Sequence, residues 1–147
     1  MEEIVSRNSG VYARLLLGRA RHLMLNARQK EVAPFQISPR QAYILFILHS
    51  LGHKATLTEL ANYSDRGINT LSMQMTRMEK DGLVKKIREV PKSNQLSFEL
   101  TEKGLDAFHK SKDWKTDKAI MSALSKEEID LFMALLKKII KKAEKYQ

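Results

Sequence analysis

The stretch that most constrains the fold runs from Gly67 to Gly82, with the sequence GINTLSMQMTRMEKDG. At about 100° per residue its apolar side chains share one narrow sector, as in a helix with one buried face. These are Ile68, Leu71, Met75 and Met78. The opposite sector holds amides, hydroxyls, a thioether and cations but no acid: Asn69, Thr70, Met73, Thr76, Arg77 and Lys80. Because short polar side chains approach base edges and cations reach phosphates, the pattern indicates a helix in a DNA major groove. An ordinary surface helix with a cationic bias stays open as the alternative.

The charge of the chain favours a polyanionic partner. It has 26 Lys and Arg against 17 Asp and Glu, a formal net charge of +9 over 147 residues. Such a balance is typical of proteins that bind nucleic acid, a membrane surface or an acidic protein. Residues 1–36 have 6 basic and 3 acidic side chains, and residues 37–104 and 105–147 each have 10 basic and 7 acidic ones, so every segment carries +3. A basic tail therefore does not explain the excess, and the length suits a single domain.

Several classes of protein are disfavoured by what the sequence lacks. It has no cysteine, which excludes disulfides and thiolate metal sites. The start MEEIVSRNSG does not resemble a signal peptide, and the longest apolar run, Ala42 to Leu48, is too short to cross a membrane. We expect a cytoplasmic protein without a membrane partner.

The first half of the chain predicts a helix-turn-helix. Residues 4–31 predict a long helix, ended by Pro34, with more apolar surface than one small domain buries, so a second chain is the expected partner. Ser38-Pro39-Arg40-Gln41 is a capping box that opens a core helix ending at Gly52. Thr56-Leu57-Thr58-Glu59 opens a short helix to about Tyr63. The turn SDRG then joins it to the helix at 67–81.

The second half predicts a β-hairpin followed by two helices. GLVKKIREV and QLSFEL are strand-like and flank the turn PKSN, which makes a wing over 88–95. Thr101 caps a helix expected to run to about Ala123, and Ser125 begins a third capping box. The last helix, to about Tyr146, has one apolar face and one lysine face. That lysine face is interpreted as a solvated surface, with an added phosphate contact as the alternative.

Three segments of the chain resemble the MarR family of winged helix-turn-helix transcriptional regulators. The matching segments are ATLTELANYS, TLSMQMTRMEKDGLVKK and FELTEKGLDAF, strongest over residues 37–108. The resemblance implies a mainly α fold with a small β-hairpin, built as a winged helix-turn-helix lobe (37–104) and a helical dimerisation region (1–36 and 105–147). It also implies a homodimer on a palindromic DNA operator, with the hairpin tip at the minor groove. A small aromatic effector is implied as well, with no residue assigned to it.

Three departures from the family pattern affect the candidate site. Met73 stands where the family usually has arginine, so its contact is apolar, as to a thymine methyl group. Lys92-Ser93-Asn94 stands where the wing usually carries Asp and Arg, and Arg88 or Lys92 would substitute. Arg66 stands in place of a leucine in the turn, and Ile68 is expected to fill that part of the core.

The predicted DNA-binding residues divide by role. Asn69, Thr70 and Met73 are assigned to base edges, with Thr76 on the same face. Arg77 resembles the family's phosphate-contacting arginine, and an intramolecular ion pair is its alternative. The weaker phosphate or minor-groove candidates are Arg66, Lys80, Arg88 and Lys92. Ser38 and Arg40, at a helix N-terminus, could hold a phosphate, although the serine is fully explained as a cap.

An enzymatic function is not expected. The sequence has no nucleophile elbow, P-loop or glycine-rich dinucleotide turn. Gly52 separates His49 from His53, so we expect no metal and no cofactor. The predicted function is a homodimeric, sequence-specific DNA-binding regulator that acts as a repressor. The alternatives are a winged-helix protein that binds RNA or shapes DNA without sequence preference, and a protein-interaction module.

Overall fold

The computed structural model describes residues 8–88 and 96–147, with only the backbone of Arg88 described. Contacts divide the chain into two compact units. The larger unit is Leu25–Asp113, and the smaller unit combines the described parts of Met1–Met24 and Trp114–Gln147. The predicted class, mainly α with a small antiparallel sheet, is confirmed.

Helix α1, Ser9–Val32, is one continuous helix whose residues belong to both units. A 3₁₀ turn at Ala33–Phe35 follows it, with Pro34 among its first residues. Proline lacks the amide donor that a continuing helix needs, so the helix ends before it. This end was predicted from the sequence and is confirmed. The predicted start near residue 4 lies outside the described residues.

Helix α2, Pro39–Ser50, forms the centre of the larger unit, as predicted. The Ser38 hydroxyl accepts from the Gln41 amide (3.1 Å) and the Gln41 side chain accepts from the Ser38 amide (3.0 Å), which completes the capping box. The residues of α2 packed into the core are Ala42, Ile44, Leu45, Ile47 and Leu48. Helix α3, Leu57–Ala61, starts at the capping box of Thr56 and Glu59. Helix α4, Ile68–Lys80, follows.

The sheet has one strand more than the sequence predicted. Strands β2, Val84–Arg88, and β3, Leu96–Leu100, form the predicted hairpin, in a register that pairs Lys86 with Phe98. Strand β1, Lys54–Thr56, pairs antiparallel on the other edge of β3, with Ala55 opposite Phe98. The order β1-β3-β2 therefore places β3 in the centre, where Phe98 is buried.

The helix predicted from Thr101 to Ala123 is wrong in one respect, because the structure has two helices there. Helix α5 is Glu102–Ser111 and helix α6 is Lys115–Met121. Trp114 lies between them with φ of +50°, a left-handed conformation that breaks the helical hydrogen-bond ladder. Helix α7, Lys126–Ala143, begins at the predicted Ser125 capping box and ends in a 3₁₀ turn, Glu144–Tyr146.

The two units differ in how much of their apolar surface is covered. The larger unit has a continuous core that joins α2, α4, α5 and the sheet. In the smaller unit, no residue described over 8–24 and 114–147 is buried. Among the described residues, no helix combines the length and apolar character that a membrane crossing requires.

Candidate nucleic-acid interface

Helix α4 is anchored by three apolar side chains on one face. Leu71, Met75 and Met78 are each at most 3% exposed and belong to the main core. This confirms most of the predicted buried stripe. Burial of three such side chains stabilises the packing of α4 by several kcal/mol, at about 1.5–3 kcal/mol each. The orientation of the helix about its own axis is therefore fixed by its sequence.

Ile68 corrects the predicted stripe, because it is 49% exposed. It is the first residue of α4 and lies at the margin of the buried sector, which explains why it does not share the burial of Leu71. It therefore does not fill the core in place of the leucine that Arg66 replaces. The helix itself begins at Ile68, one residue after the predicted start at 67, with Gly67 as the N-cap.

The opposite face of α4 is exposed along its whole length. The six residues predicted to contact DNA from this helix are all exposed: Asn69, Thr70, Met73, Thr76, Arg77 and Lys80. Met73 is 75% exposed although its side chain is apolar. The Thr76 hydroxyl donates to the Ser72 carbonyl (3.0 Å), so its oxygen remains an acceptor. The structure thus brings these residues together on one surface.

The acids near α4 do not occupy that surface. The Glu79 carboxylate accepts from the Lys86 backbone amide at 2.9 Å, which directs it toward β2. Asp81 is the C-cap, and its carboxylate accepts from the Gln41 side chain at 3.0 Å. Both carboxylates therefore have hydrogen-bond partners beside the helix. The outward face keeps its positive balance.

The candidate cations are placed differently from one another. In the described part of the chain, no carboxylate lies within ion-pair distance of Arg77, whose alternative interpretation was such a pair. Arg66 is 3.9 Å from the Asp65 carboxylate, a long contact. The backbone of Arg88 pairs with Leu96 in the hairpin, and its side chain is not described. Lys92 and most of the predicted wing, 88–95, lie outside the described residues.

The turn before α4 is held by a contact that the sequence did not reveal. The Tyr43 hydroxyl donates to the Tyr63 carbonyl at 2.7 Å, which joins α2 to the segment between α3 and α4. Partial burial raises the pKa of Tyr43, and the charge of Asp65 raises it further. The hydroxyl therefore remains a donor at neutral pH. No local sequence motif predicts this bond, because its partners are 20 residues apart.

The start of α2 is closed by its capping box. Ser38 and Gln41 satisfy each other there, while the Arg40 side chain is exposed. The interpretation of Ser38 as a cap is therefore sufficient.

Three of the four histidines, His49, His53 and His109, lie close together near the C-terminal end of α2. The ring of His49 stacks on Phe108 at 3.9 Å and lies 4.9 Å from the ring of His53. Burial lowers the pKa of His49, and His53, His109 and Lys112 lower it further by repulsion. Within residues 8–88 and 96–147, no group of three or more histidines and carboxylates has the arrangement of a metal site.

Comparison with known proteins found similarity at the level of structure. A scan of family models found no match, and a search of curated proteins found none. The transcriptional regulator RdhR, described as organohalide-sensing and bound to 2,4-dichlorophenol, is 25% identical, with a TM-score of 0.83 over 90% of this chain and 79% of that chain. A mutant MarR from E. coli in complex with operator DNA has a TM-score of 0.80 at 16% identity, over 90% and 96% of the two chains.

A third structure has the same architecture. AbsC, a MarR family transcriptional regulator from Streptomyces coelicolor, has a TM-score of 0.80 at 22% identity, over 93% of this chain and 95% of that chain. The likeness in these structures extends over nearly the whole chain and includes both units. The three names describe transcriptional regulators or a complex with operator DNA.

Proposed function

From its likeness in fold to MarR family regulators, we propose that this chain belongs to that family of winged helix-turn-helix proteins and is a DNA-binding transcriptional regulator. In this proposal it acts as a homodimer and represses a promoter by occupying a palindromic operator. Helix α4 enters the major groove, and the wing over 88–95 reaches the minor groove.

The observation that carries this proposal is the separation of the two faces of α4. One face is fixed in the core by Leu71, Met75 and Met78. The other exposes donors, acceptors and two cations, the kinds of group that contact bases and phosphates. A similar fold occurs in MarR bound to operator DNA and in the MepR–DNA complex from S. aureus.

Within this proposal, Asn69, Thr70 and Met73 contact base edges, and Thr76 contributes an acceptor beside them. Met73 offers its thioether to an apolar surface such as a thymine methyl group. The cations that neutralise phosphates are Arg66, Arg77, Lys80, Arg88 and Lys92. Each phosphate contact adds affinity that falls as the salt concentration rises.

Support for the homodimer comes from the smaller unit. Helix α7 carries an apolar stripe that includes Phe132, Leu135 and Ile139, and each of these side chains is more than one third exposed. Exposed apolar surface of this extent marks an interaction site. A second copy offers the same stripe, so a two-fold interface would cover both. The proposal keeps the division expected from the sequence, with a dimerisation region (1–36 and 105–147) and a DNA-binding lobe (37–104).

A small aromatic effector is part of the proposal but has no assigned site. Among the similar structures, RdhR has 2,4-dichlorophenol bound, and NadR is in complex with 4-hydroxyphenylacetate. A cavity beside α4, lined in part by Tyr43, Tyr63 and Leu71, has a volume of about 30 Å³. That volume holds about two water molecules rather than an aromatic ring. This cavity is therefore not proposed as the effector site.

The test is a salt titration of DNA binding with two duplexes of equal length. One duplex comes from directly upstream of the protein's own gene, and the other has the same bases in scrambled order. Tighter binding to the native duplex that persists at moderate salt, with a palindromic footprint, would support a specific regulator. A selection from random duplexes follows if the two bind equally. If that selection enriches no sequence, the binding is non-specific, as in an architectural or RNA-binding protein, and the proposal fails.

A further inference from the structure

The C-terminal end of α4 is held by contacts from two other helices, and these contacts converge on residues 81–83. Helix α4 ends in a Schellman motif, in which the Leu83 amide donates to the Met78 carbonyl (3.0 Å) and the Gly82 amide to the Glu79 carbonyl (3.0 Å). Gly82 has φ of +79°, the left-handed conformation that this motif requires. The turn is therefore a rigid end to the helix.

Side chains at the start of α5 contact the backbone of this turn. The Thr101 hydroxyl donates to the Gly82 carbonyl and accepts from the Gly104 amide. The Lys103 ammonium donates to the Asp81 carbonyl at 2.7 Å. These bonds end on backbone carbonyls, so they are independent of the side chain at position 81.

The start of α2 contacts the same turn through side chains only. The amide nitrogen of the Gln41 side chain donates to the Asp81 carboxylate at 3.0 Å, and its oxygen accepts from the Ser38 amide at 3.0 Å. Gln41 is 7% exposed, and both the nitrogen and the oxygen of its side-chain amide have a hydrogen-bond partner. One side chain thus completes the cap of α2 and links that cap to the end of α4.

We propose that Gln41 is a positioning residue for DNA binding, which holds the C-terminal end of α4 against the start of α2 through the Asp81 carboxylate. The inference rests on the DNA-binding function proposed above. Arg77 and Lys80 lie in the last turn of α4. Their distance from the phosphates therefore depends on where this end of the helix is held, and a small displacement weakens charge-assisted hydrogen bonds.

The test compares two variants that remove the same charge. Asp81→Asn keeps a side-chain oxygen that can accept from Gln41, whereas Asp81→Ala removes the acceptor. Electrostatics alone predicts that both variants bind DNA more tightly than the wild type, because each removes an anion near a polyanion. If Gln41 positions the helix, Asp81→Ala binds about fivefold more weakly than Asp81→Asn at the same salt concentration. The probe is the tightest duplex recovered from a random-sequence selection.

A second pair of variants tests the same contact from the other side. Gln41→Glu keeps an acceptor for the Ser38 amide, since glutamate also completes a capping box, but sets a carboxylate against Asp81. We expect weaker DNA binding from Gln41→Glu, and recovery in the double variant Gln41→Glu with Asp81→Asn, in which the asparagine amide donates to the glutamate. Circular dichroism and thermal melts establish the folded fraction for each protein, so that affinities refer to folded protein.

The outcomes separate this inference from the function on which it rests. A wild-type protein that selects no duplex would overturn the proposed function and the inference with it. Wild-type binding with equal affinities for Asp81→Ala and Asp81→Asn would overturn the inference alone. A melting temperature that falls while the affinities stay equal would show that the bond only stabilises the fold. The inference would also be overturned if the double variant bound DNA no better than Gln41→Glu.

Discussion

Arg77 is the residue on which the proposed phosphate contacts depend most. It is exposed near the end of α4, on the face opposite Leu71 and Met78. Its environment leaves the guanidinium available, because Glu79 is turned toward the Lys86 amide. Arginine at such a position binds phosphate through two hydrogen bonds and a full charge.

Replacement of Arg77 by alanine should weaken DNA binding about tenfold on every sequence, because a phosphate contact carries no sequence information. The plot of log affinity against log salt should become shallower by about one unit. Fluorescence anisotropy at several salt concentrations measures both effects. Lys137→Ala is the matched control, since it removes one charge from the lysine face of α7. An unchanged slope in Arg77→Ala would contradict the assignment, and a shallower slope in Lys137→Ala would assign a phosphate contact to α7.

His49 should make the stability of the larger unit depend on pH. Burial against Phe108, with repulsion from His53, His109 and Lys112, lowers the pKa of His49 below its usual value of 6.5. The folded state therefore favours the neutral ring, and this contribution is present above the usual pKa. It is lost as the pH falls below about 6.5, because the unfolded chain then binds the proton more strongly.

Urea unfolding between pH 7.5 and 5.5, at constant ionic strength, measures this dependence of stability on pH. The variant His49→Gln keeps a planar polar side chain but cannot titrate. We expect its midpoint to fall less with decreasing pH than that of the wild type. Parallel curves for the two proteins would mean that carboxylates and the other histidines account for the whole pH dependence.

At the scale of the elements, Gly104 shows how closely α5 approaches the end of α4. A Cβ at this position would overlap the Leu83 carbonyl, a backbone group that cannot move aside alone. We expect Gly104→Ala to lower the free energy of unfolding by about 2–4 kcal/mol, in the range of forced overpacking and backbone strain. Chemical denaturation measures the loss. Gly10→Ala is the control, because among the described residues a Cβ there lies near Asn8 alone, at an ordinary 3.8 Å. Equal stabilities would show that the α5 contact relaxes without cost.

The elements that the sequence predicted well are those with local signals. Ser38, Thr56 and Ser125 each begin a helix with a capping box, and every partner lies within three residues. The stripe of α4 is likewise a local pattern, and only Ile68 at its margin was misplaced. Local hydrogen bonds and periodicity can be inferred from short segments because their geometry does not depend on the rest of the chain.

Features set by distant partners could not be predicted. Strand β1 has only three residues and depends on pairing with β3, more than 40 positions later. The helix between Thr101 and Ala123 is interrupted at Trp114, where the sequence has neither the glycine nor the proline that usually indicates a helix end. For the candidate site, the exposed face of α4 was predicted residue by residue, but the bonds from Gln41 and Tyr43 join segments 40 and 20 residues apart. Such bonds depend on tertiary packing.

At the scale of the whole molecule, the proposed dimer makes a strong prediction for α7. Ile139 is 56% exposed in the single chain and lies in the apolar stripe. Ile139→Glu would place a carboxylate in the proposed interface, where burial of an unpaired charge is costly. We expect the dimer dissociation constant to rise at least about a hundredfold, which corresponds to about 3 kcal/mol.

Analytical ultracentrifugation measures the dimer dissociation constant, and operator binding should fall with it, since one copy contacts one half-site. Lys141→Gln, on the other face of the same helix, is the control, because it changes the net charge by the same one unit. A wild-type protein that sediments as a monomer at all concentrations, or an Ile139→Glu variant that dimerises normally, would contradict the proposed interface.

The division of α4 into a buried and an exposed face also bears on how such a protein can evolve. The side chains that hold the helix in the core, Leu71, Met75 and Met78, are not those that would contact bases. Substitutions at exposed positions such as Asn69 and Met73 usually change stability by no more than about 0.5 kcal/mol. A gene duplicate could therefore acquire a new operator through a few mutations while its fold stays intact, and selection could act on the DNA preference alone.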